Sequence, residues 1–452
     1  MVTPAWIRAA AVYADRRIVL ILLLGFASGL PLALTGATLT VWLAEGGLTK
    51  ASIGLFALVG LPYTLKFAWA PVIDRVRLPW LGRRFGRRRS WALATQAALM
   101  LALLAMSGTE PRLAPWTTGL FALLVAFCSA SQDIVIDAYR VESLAPHQYG
   151  AGAATVVLGY RLGMLTSGAG ALYLASALPW REVYAVMAML VGVGMVTILC
   201  APEPGTSGTE ALLEQERQLA RALVRRRGLF GWRARLVAWA YGAVIAPFAD
   251  FMRHPAWLGI LAFIVLFKLG EVYAGVMAMP FYLELGFTKP EIAGVTKVFG
   301  LIATITGGLI GGGMVGRLGV VRALLVTGLL QMVSNLCFTA LAWAGHDLGM
   351  LMLTVAVENI CGGMATAAFV AYLSGLCSVA YTATQYALLT SLAAFARDVL
   401  ATGSGWCAES LGWVGYFLFS TALALPGLGL LLWLSARPPL PCAAAPAPAA
   451  GD

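Results

Sequence analysis

Charge is what this sequence has least of. Only 12% of its 452 residues are Asp, Glu, Lys or Arg, against 60% apolar residues. The mean hydropathy is +0.82. A soluble domain of this length could not cover its surface from so small a polar supply. Histidine occurs three times, at His147, His254 and His346, all in loops or at the ends of apolar runs. That leaves almost nothing for a metal centre or for imidazole chemistry. The seven cysteines show neither metal-type spacing nor a loop pair placed for a disulfide. No GxxxxGK followed by Ser or Thr occurs, so the chain has no phosphate loop for ATP hydrolysis. The expectation is a protein that is not an enzyme and carries no metal or cofactor.

What is abundant is apolar sequence, in runs of about 20 residues separated by short polar breaks, the length that crosses a bilayer as a helix. Strands of a membrane barrel would be shorter and would alternate in polarity. The spans read as 18–44, 50–73, 90–108, 116–139, 150–174, 181–200, 256–284, 290–314, 321–345, 348–374, 383–406 and 412–435. The first is too long for the core of a signal peptide and reads as a spanning helix. With span-edge residues counted in the adjoining loop, Lys and Arg number 22 in the termini and every second loop, 4 in the alternate loops and 5 inside spans. This asymmetry places both termini in the cytoplasm of a multi-pass inner-membrane protein. The net charge of +10 then sets topology and meets anionic lipid headgroups; nucleic acid is not an expected partner.

The chain divides into two similar halves, 1–200 and 256–436, followed by a Pro/Ala-rich tail, 437–452, expected to be disordered. The connecting segment, 201–255, holds an amphipathic basic helix from Glu210 to Arg227. A stretch broken by Gly242 and Pro247 follows, expected to lie on the membrane surface, with a thirteenth span as the competing reading. EGGLTKASI after the first span matches ELGFTKPEI after the seventh. Asp137-Ala-Tyr matches Val370-Ala-Tyr, and Arg161 matches Arg397. Ordered matches at similar offsets imply a tandem duplication. The expected fold is all-α: twelve transmembrane helices in two pseudo-symmetric six-helix halves, with a site between them near the midplane. GGLIGGGMVG (307–316) and SGAGAL (167–172) supply small-residue faces for close helix crossing.

Ionisable residues inside the spans cost roughly 2.5–3.5 kcal/mol each on insertion scales, so they must face protein, water or one another. They are Lys66, Asp133, Asp137, Arg161, Lys268, Glu271, Lys297, Glu358, Arg397 and Asp398. Asp133 and Asp137 share one helix face, and Arg161 enters from the same side on the next span. An Asp133–Arg161 pair is expected, either a fixed strut or a pair remade during transport. Lys268 and Glu271 can pair within one helix turn. The residues expected to contact substrate are Arg161, Arg397, Gln132, Tyr160, Lys268, Glu358, Asn359 and Gln385. Asp133 and Glu271 are the expected proton carriers, since both are deep, acidic and beside a base. Arg140 is expected to meet headgroups. The loop APVIDRVRLPWLGRRFGRRR resembles, in stretched form, the loop between spans two and three of the major facilitator superfamily. It makes Asp74 and Arg75 gating candidates, joined by Asp137 near the same end.

LGFASGLPLAL (24–34), LKFAWAPVIDR (65–75), ASQDIVIDAYR (130–140), GAGAATVVLGYRLGMLTSG (150–168), FKLGE (267–271) and VENICGGMATAAFVAYL (357–373) together resemble the AmpG-type muropeptide permeases of that superfamily. The resemblance implies a monomeric, proton-driven importer. Its substrates would be N-acetylglucosaminyl-1,6-anhydro-N-acetylmuramyl peptides brought from periplasm to cytoplasm for peptidoglycan recycling, with a link to β-lactamase induction. Two further readings remain open: transport of another amphiphilic anion, such as an acyl-CoA or a siderophore, and a non-transporting membrane scaffold. Many family members carry two additional C-terminal spans; here the sequence ends in PPLPCAAAPAPAAGD.

Overall fold

The computed structural model describes residues 12–205, 210–226 and 230–436; the tail expected to be disordered lies outside them. The described residues form helices joined by short turns, with no strand among them. Among them, nine helices are long and apolar enough to cross a membrane, from Arg16–Glu45 to Thr382–Ser435. Apolar sequence continues through interrupted helices as well. Span two is carried by Lys50–Leu55, Leu61–Leu65 and Ala70–Arg75 with tighter turns between them. Span five is Tyr149–Leu165, then a wider π-type turn, then Ala171–Ala175. The last run turns at Gly412, whose φ of 64° breaks the helix between spans eleven and twelve. Leu101, Leu120, Val196, Ile302, Leu353 and Leu432 are exposed on the outside of the bundle. A hydrocarbon solvent suits such a surface and water does not.

The internal repeat is a local structural device. Ala37–Glu45 ends at Glu45 and Leu269–Glu284 ends at Glu284. Gly47 and Gly286 then take φ of 76° and 88°, which only glycine adopts without strain. Thr49 and Thr288 follow as N-caps of the next helices. The two matching stretches therefore fold alike.

Glycine sets where the helices cross. A Cβ on Gly29 would stand 2.1 Å from the Tyr160 carbonyl, and one on Gly159 would stand 2.1 Å from the Leu22 carbonyl. Spans one and five thus touch backbone to backbone. In the second half, Gly307 and Gly311 meet Ile360 and Met364 of span ten in the same way. The halves also meet directly at Gly150 of span five and Gly312 of span eight. A Cβ on either would lie 2.6–2.7 Å from the other's carbonyl oxygen.

The connecting segment contains Glu210–Arg226, Gly231–Ala240 and Ala246–Met252. Its Glu216, Pro247 and Asp250 bond to Tyr381 and Gln385. It therefore packs against the turn between spans ten and eleven.

Candidate functional site

Charged and polar side chains from both halves collect in the middle of the bundle. In the first half, Asp133 is nearly buried and accepts a hydrogen bond from Ser28 on span one. Its cationic neighbour is Lys66. The expected Asp133–Arg161 ion pair does not form. The close crossing of spans one and five puts residues 156, 159, 160 and 163 on the side facing span one. Asp133 points to span one as well, while Arg161 is left on the exposed side of its helix. The Arg161 guanidinium instead lies within electrostatic reach of Glu358 on span ten, across the boundary between halves. Tyr160 is partly exposed beside it.

In the second half, span seven breaks between Trp257–Leu266 and Leu269–Glu284. Lys268 stands at the break and Glu271 lies in the first turn after it, where the helix dipole favours a carboxylate. Their charged groups are 3.2 Å apart, and the Lys268 ammonium donates to the Thr366 hydroxyl at 2.7 Å. The Asn359 amide donates to Glu358 at 2.8 Å and accepts from the Thr304 hydroxyl at 2.8 Å. A broken helix with unlike charges at mid-depth is an arrangement that binds charged solute in membrane transporters. Arg397 is exposed and lies toward the far end of Thr382–Leu400. The side chains of Lys297 and Asp398 lie outside what the structure describes.

The arginine-rich end holds a second polar network. Asp74 is 3% exposed and pairs with Arg88, which is 1% exposed, at 2.6 Å. Asp74 also accepts from the Ala383 amide at 3.3 Å and from the Thr384 amide and hydroxyl at 2.8 and 2.7 Å. Burial by itself would raise this carboxyl. Arg88, Arg87 and the Thr384 hydroxyl outweigh it and hold Asp74 below the usual carboxylate range. Arg88 pairs with Glu142 as well. Arg140 crosses to the other half, donating to the Ser374 hydroxyl at 2.9 Å and lying 5.2 Å above the Tyr386 ring. Asp137 supports it at 3.4 Å. Arg75 pairs with Glu216 of the connecting helix, and Glu216 also accepts from the Tyr381 hydroxyl at 2.8 Å.

Three expectations are corrected here. Arg140 is 1% exposed and reaches the other half rather than headgroups. Gln385 is at the arginine-rich end, donating to Pro247 and Asp250 at 3.0 Å, because it falls in the first turn of span eleven, which the connecting segment covers. Gln132 is fully buried and donates to the Ala27 carbonyl at 2.8 Å, tying span four to span one, so it faces no open space. Sequence reasoning missed Arg88, Glu142, Thr384 and Glu216. Arg88 was hidden in a run of arginines whose charge alone explained them. The other three become partners only through contacts distant in sequence.

Comparison with known proteins agrees with this architecture. The family model described as Major Facilitator Superfamily matches residues 21–344. The chain is 43% identical over 425 residues to the "Anhydromuropeptide permease" of Escherichia coli (strain K12), covering 93% of this chain and 80% of that protein. It is 35% identical over 432 residues to the "Putative transporter AmpG 4" of Rickettsia conorii, covering 95% and 99%. Among solved structures, the Escherichia coli fucose:proton symporter aligns with a TM-score of 0.65 at 10% identity, covering 93% of this chain and 98% of that one.

Proposed function

The chain belongs to the AmpG-type muropeptide permeases of the major facilitator superfamily, and on that premise we propose that it imports anhydro-muropeptides from periplasm to cytoplasm by proton symport. It would act as a monomer in the bacterial inner membrane. The observation that carries the reading is the charge set at mid-bundle: Arg161 facing Glu358 across the halves, with Lys268–Glu271 on one side and Lys66–Asp133 on the other. A substrate that is part sugar and part peptide carries carboxylates, which a guanidinium binds bidentately. Asp133 and Glu271, each beside a lysine, are the groups that would exchange a proton as the substrate's charge enters. The arginine-rich end is the cytoplasmic end in this reading. The Asp74 and Arg140 networks hold the halves together there, so the arrangement is one that receives substrate from the periplasm.

The test is uptake of labelled N-acetylglucosaminyl-1,6-anhydro-N-acetylmuramyl tripeptide into proteoliposomes, acid outside. One-to-one coupling sets a ceiling of about tenfold accumulation per pH unit. Equal uptake with and without the gradient overturns proton symport. Accumulation of an acyl-CoA or a siderophore in place of the muropeptide overturns the substrate.

A further inference from the structure

Behind Glu271, on the side toward span nine, lies a polar nest that substrate contact does not account for. Gln331 and Asn335, one helical turn apart on Val320–Ala344, are 7% and 1% exposed. No protein group hydrogen-bonds to either polar atom of either side chain. Each lies against a glycine of a neighbouring helix. A Cβ on Gly362 of span ten would stand 3.3 Å from the Gln331 Oε1 and 3.6 Å from the Glu271 Oε1. One on Gly270 of span seven would stand 3.4 Å from the Asn335 Nδ2. Two amides and a carboxylate therefore converge on one small site.

Buried amides left without partners are costly enough that native proteins almost always satisfy them, with ordered water where protein cannot. Polar partners for a water are present here: the two amides and the Glu271 carboxylate. The matching place in the first half is built differently. There Gln96 is fully buried and also unpartnered, but a Cβ on Gly194 would stand 2.6 Å from its Nε2. In the second half two unpartnered amides and an acid stand together.

We propose that Gln331 and Asn335 hold water against Glu271, forming a hydrated pocket inside the second half through which the Glu271 carboxyl gains and loses its proton away from the substrate. Water is favoured over a metal cation because the Lys268 ammonium already stands 3.2 Å from Glu271 and would repel a second positive charge. The groups facing Glu271 are Lys268 on its own helix and Glu358 on span ten. Spans nine and twelve offer the two amides and the Ser420 carbonyl. The step is a proton transfer alone: the carboxyl O–H breaks as a new O–H bond forms on the adjacent water, and the hydronium so formed passes its proton to the next water, with no net oxidation.

The inference rests on Glu271 as a proton carrier, so the experiment separates the two. Gln331→Leu and Asn335→Leu are compared with Glu271→Gln for muropeptide exchange without a gradient and for accumulation driven by a pH gradient. The expected result is exchange within about twofold of wild type in the leucine variants, with gradient-driven accumulation reduced tenfold or more. Asn335→Ser, smaller and still polar, should retain accumulation. Oxidation of Cys361, which adjoins Gly362, by hydroxyl radicals generated from bound water should fall in the leucine variants. Loss of accumulation in Glu271→Gln with full accumulation and unchanged radical labelling in both leucine variants overturns the hydrated pocket alone. Full accumulation in Glu271→Gln overturns the proton assignment beneath it. Accumulation in the leucine variants that falls with sodium replacement rather than with the pH gradient overturns water as the occupant. If the leucine variants misfold, the Asn335→Ser profile and the wild-type labelling decide. Unlabelled Cys361 in the wild type rejects the pocket.

Discussion

The Asp74 carboxylate of the first half accepts hydrogen bonds from both the amide and the hydroxyl of Thr384 in the first turn of span eleven, at 2.8 and 2.7 Å. One side chain therefore caps a helix in the opposite half while keeping its ion pair with Arg88. The cap bonds from Thr384 cross between the halves and are broken by separating them, whereas the Asp74–Arg88 pair lies within the first half and holds the carboxylate in place for the cap.

Asp74→Asn should weaken that junction. It replaces the charged acceptor of the Thr384 bonds by a neutral amide, and bonds to charged groups contribute about 1.5–3 kcal/mol against about 0.5–1.5 kcal/mol for neutral ones. A loss of roughly 2 kcal/mol would move the equilibrium between joined and separated halves about thirtyfold. Spin labels at Arg84 and Arg253 should report a longer distance population in this variant. An unchanged distance distribution would mean the junction does not set the equilibrium.

The same junction should be indifferent to pH near neutrality. Asp74 is depressed below its ordinary value. Its contribution is complete above the usual carboxylate range and is lost only as pH falls through the still lower value in the joined state. Between pH 5 and 8 it stays constant. The pH midpoint of uptake should therefore be the same in Asp74→Asn as in wild type while the amplitude drops. A midpoint shift of more than about half a unit would place the titrating group at this junction.

Gly150→Ala and Gly312→Ala should also push the halves apart. Each new methyl would enter space within 2.6–2.7 Å of the facing carbonyl, well inside van der Waals contact. Gly313→Ala, with nothing within 4 Å, is the control and should behave as wild type. Cysteine-accessibility labelling at the arginine-rich end should rise in the first two variants and not in the third.

Glu216 ties the connecting helix to Arg75 of the first half and Tyr381 of the second. Arg75 is 23% exposed, so solvent moderates the pair, and about 1 kcal/mol is a fair expectation for losing it. Glu216→Ala should make the connecting helix Glu210–Arg226 more sensitive to limited proteolysis and slow uptake severalfold. Tyr381→Phe should do so more weakly. Unaltered proteolysis in both would show that the contact is incidental.

Arg161→Lys separates recognition from support. Lysine preserves charge but not the planar fork. A substrate carboxylate held bidentately should be lost, with affinity falling tenfold or more at normal membrane expression. Wild-type affinity would remove Arg161 from the substrate site and leave it as a charge balancing Glu358.

Much was decided by the sequence alone. The bilayer imposes length and polarity on each span residue by residue, so counting apolar runs and basic loops locates them without knowledge of neighbours. The EGGLTK and ELGFTK stretches specify their own turns, because Gly47 and Gly286 must take positive φ and the Thr49 and Thr288 caps follow two residues later. Local chemistry suffices there.

Only the tertiary structure decided which way the charges face. Whether Arg161 meets Asp133 or Glu358 depends on its direction around the helix axis, which the glycine crossings of spans one and five fix. Gln385, in an apolar segment, is expected from sequence to contact substrate; the connecting segment that covers it lies more than a hundred residues earlier. Thr384 lies 310 residues from Asp74, and nothing near either one names the other. Transfer energies act on each residue separately and can be read along the chain. Pairings of charges depend on which helix faces touch, and that is settled only when the bundle closes.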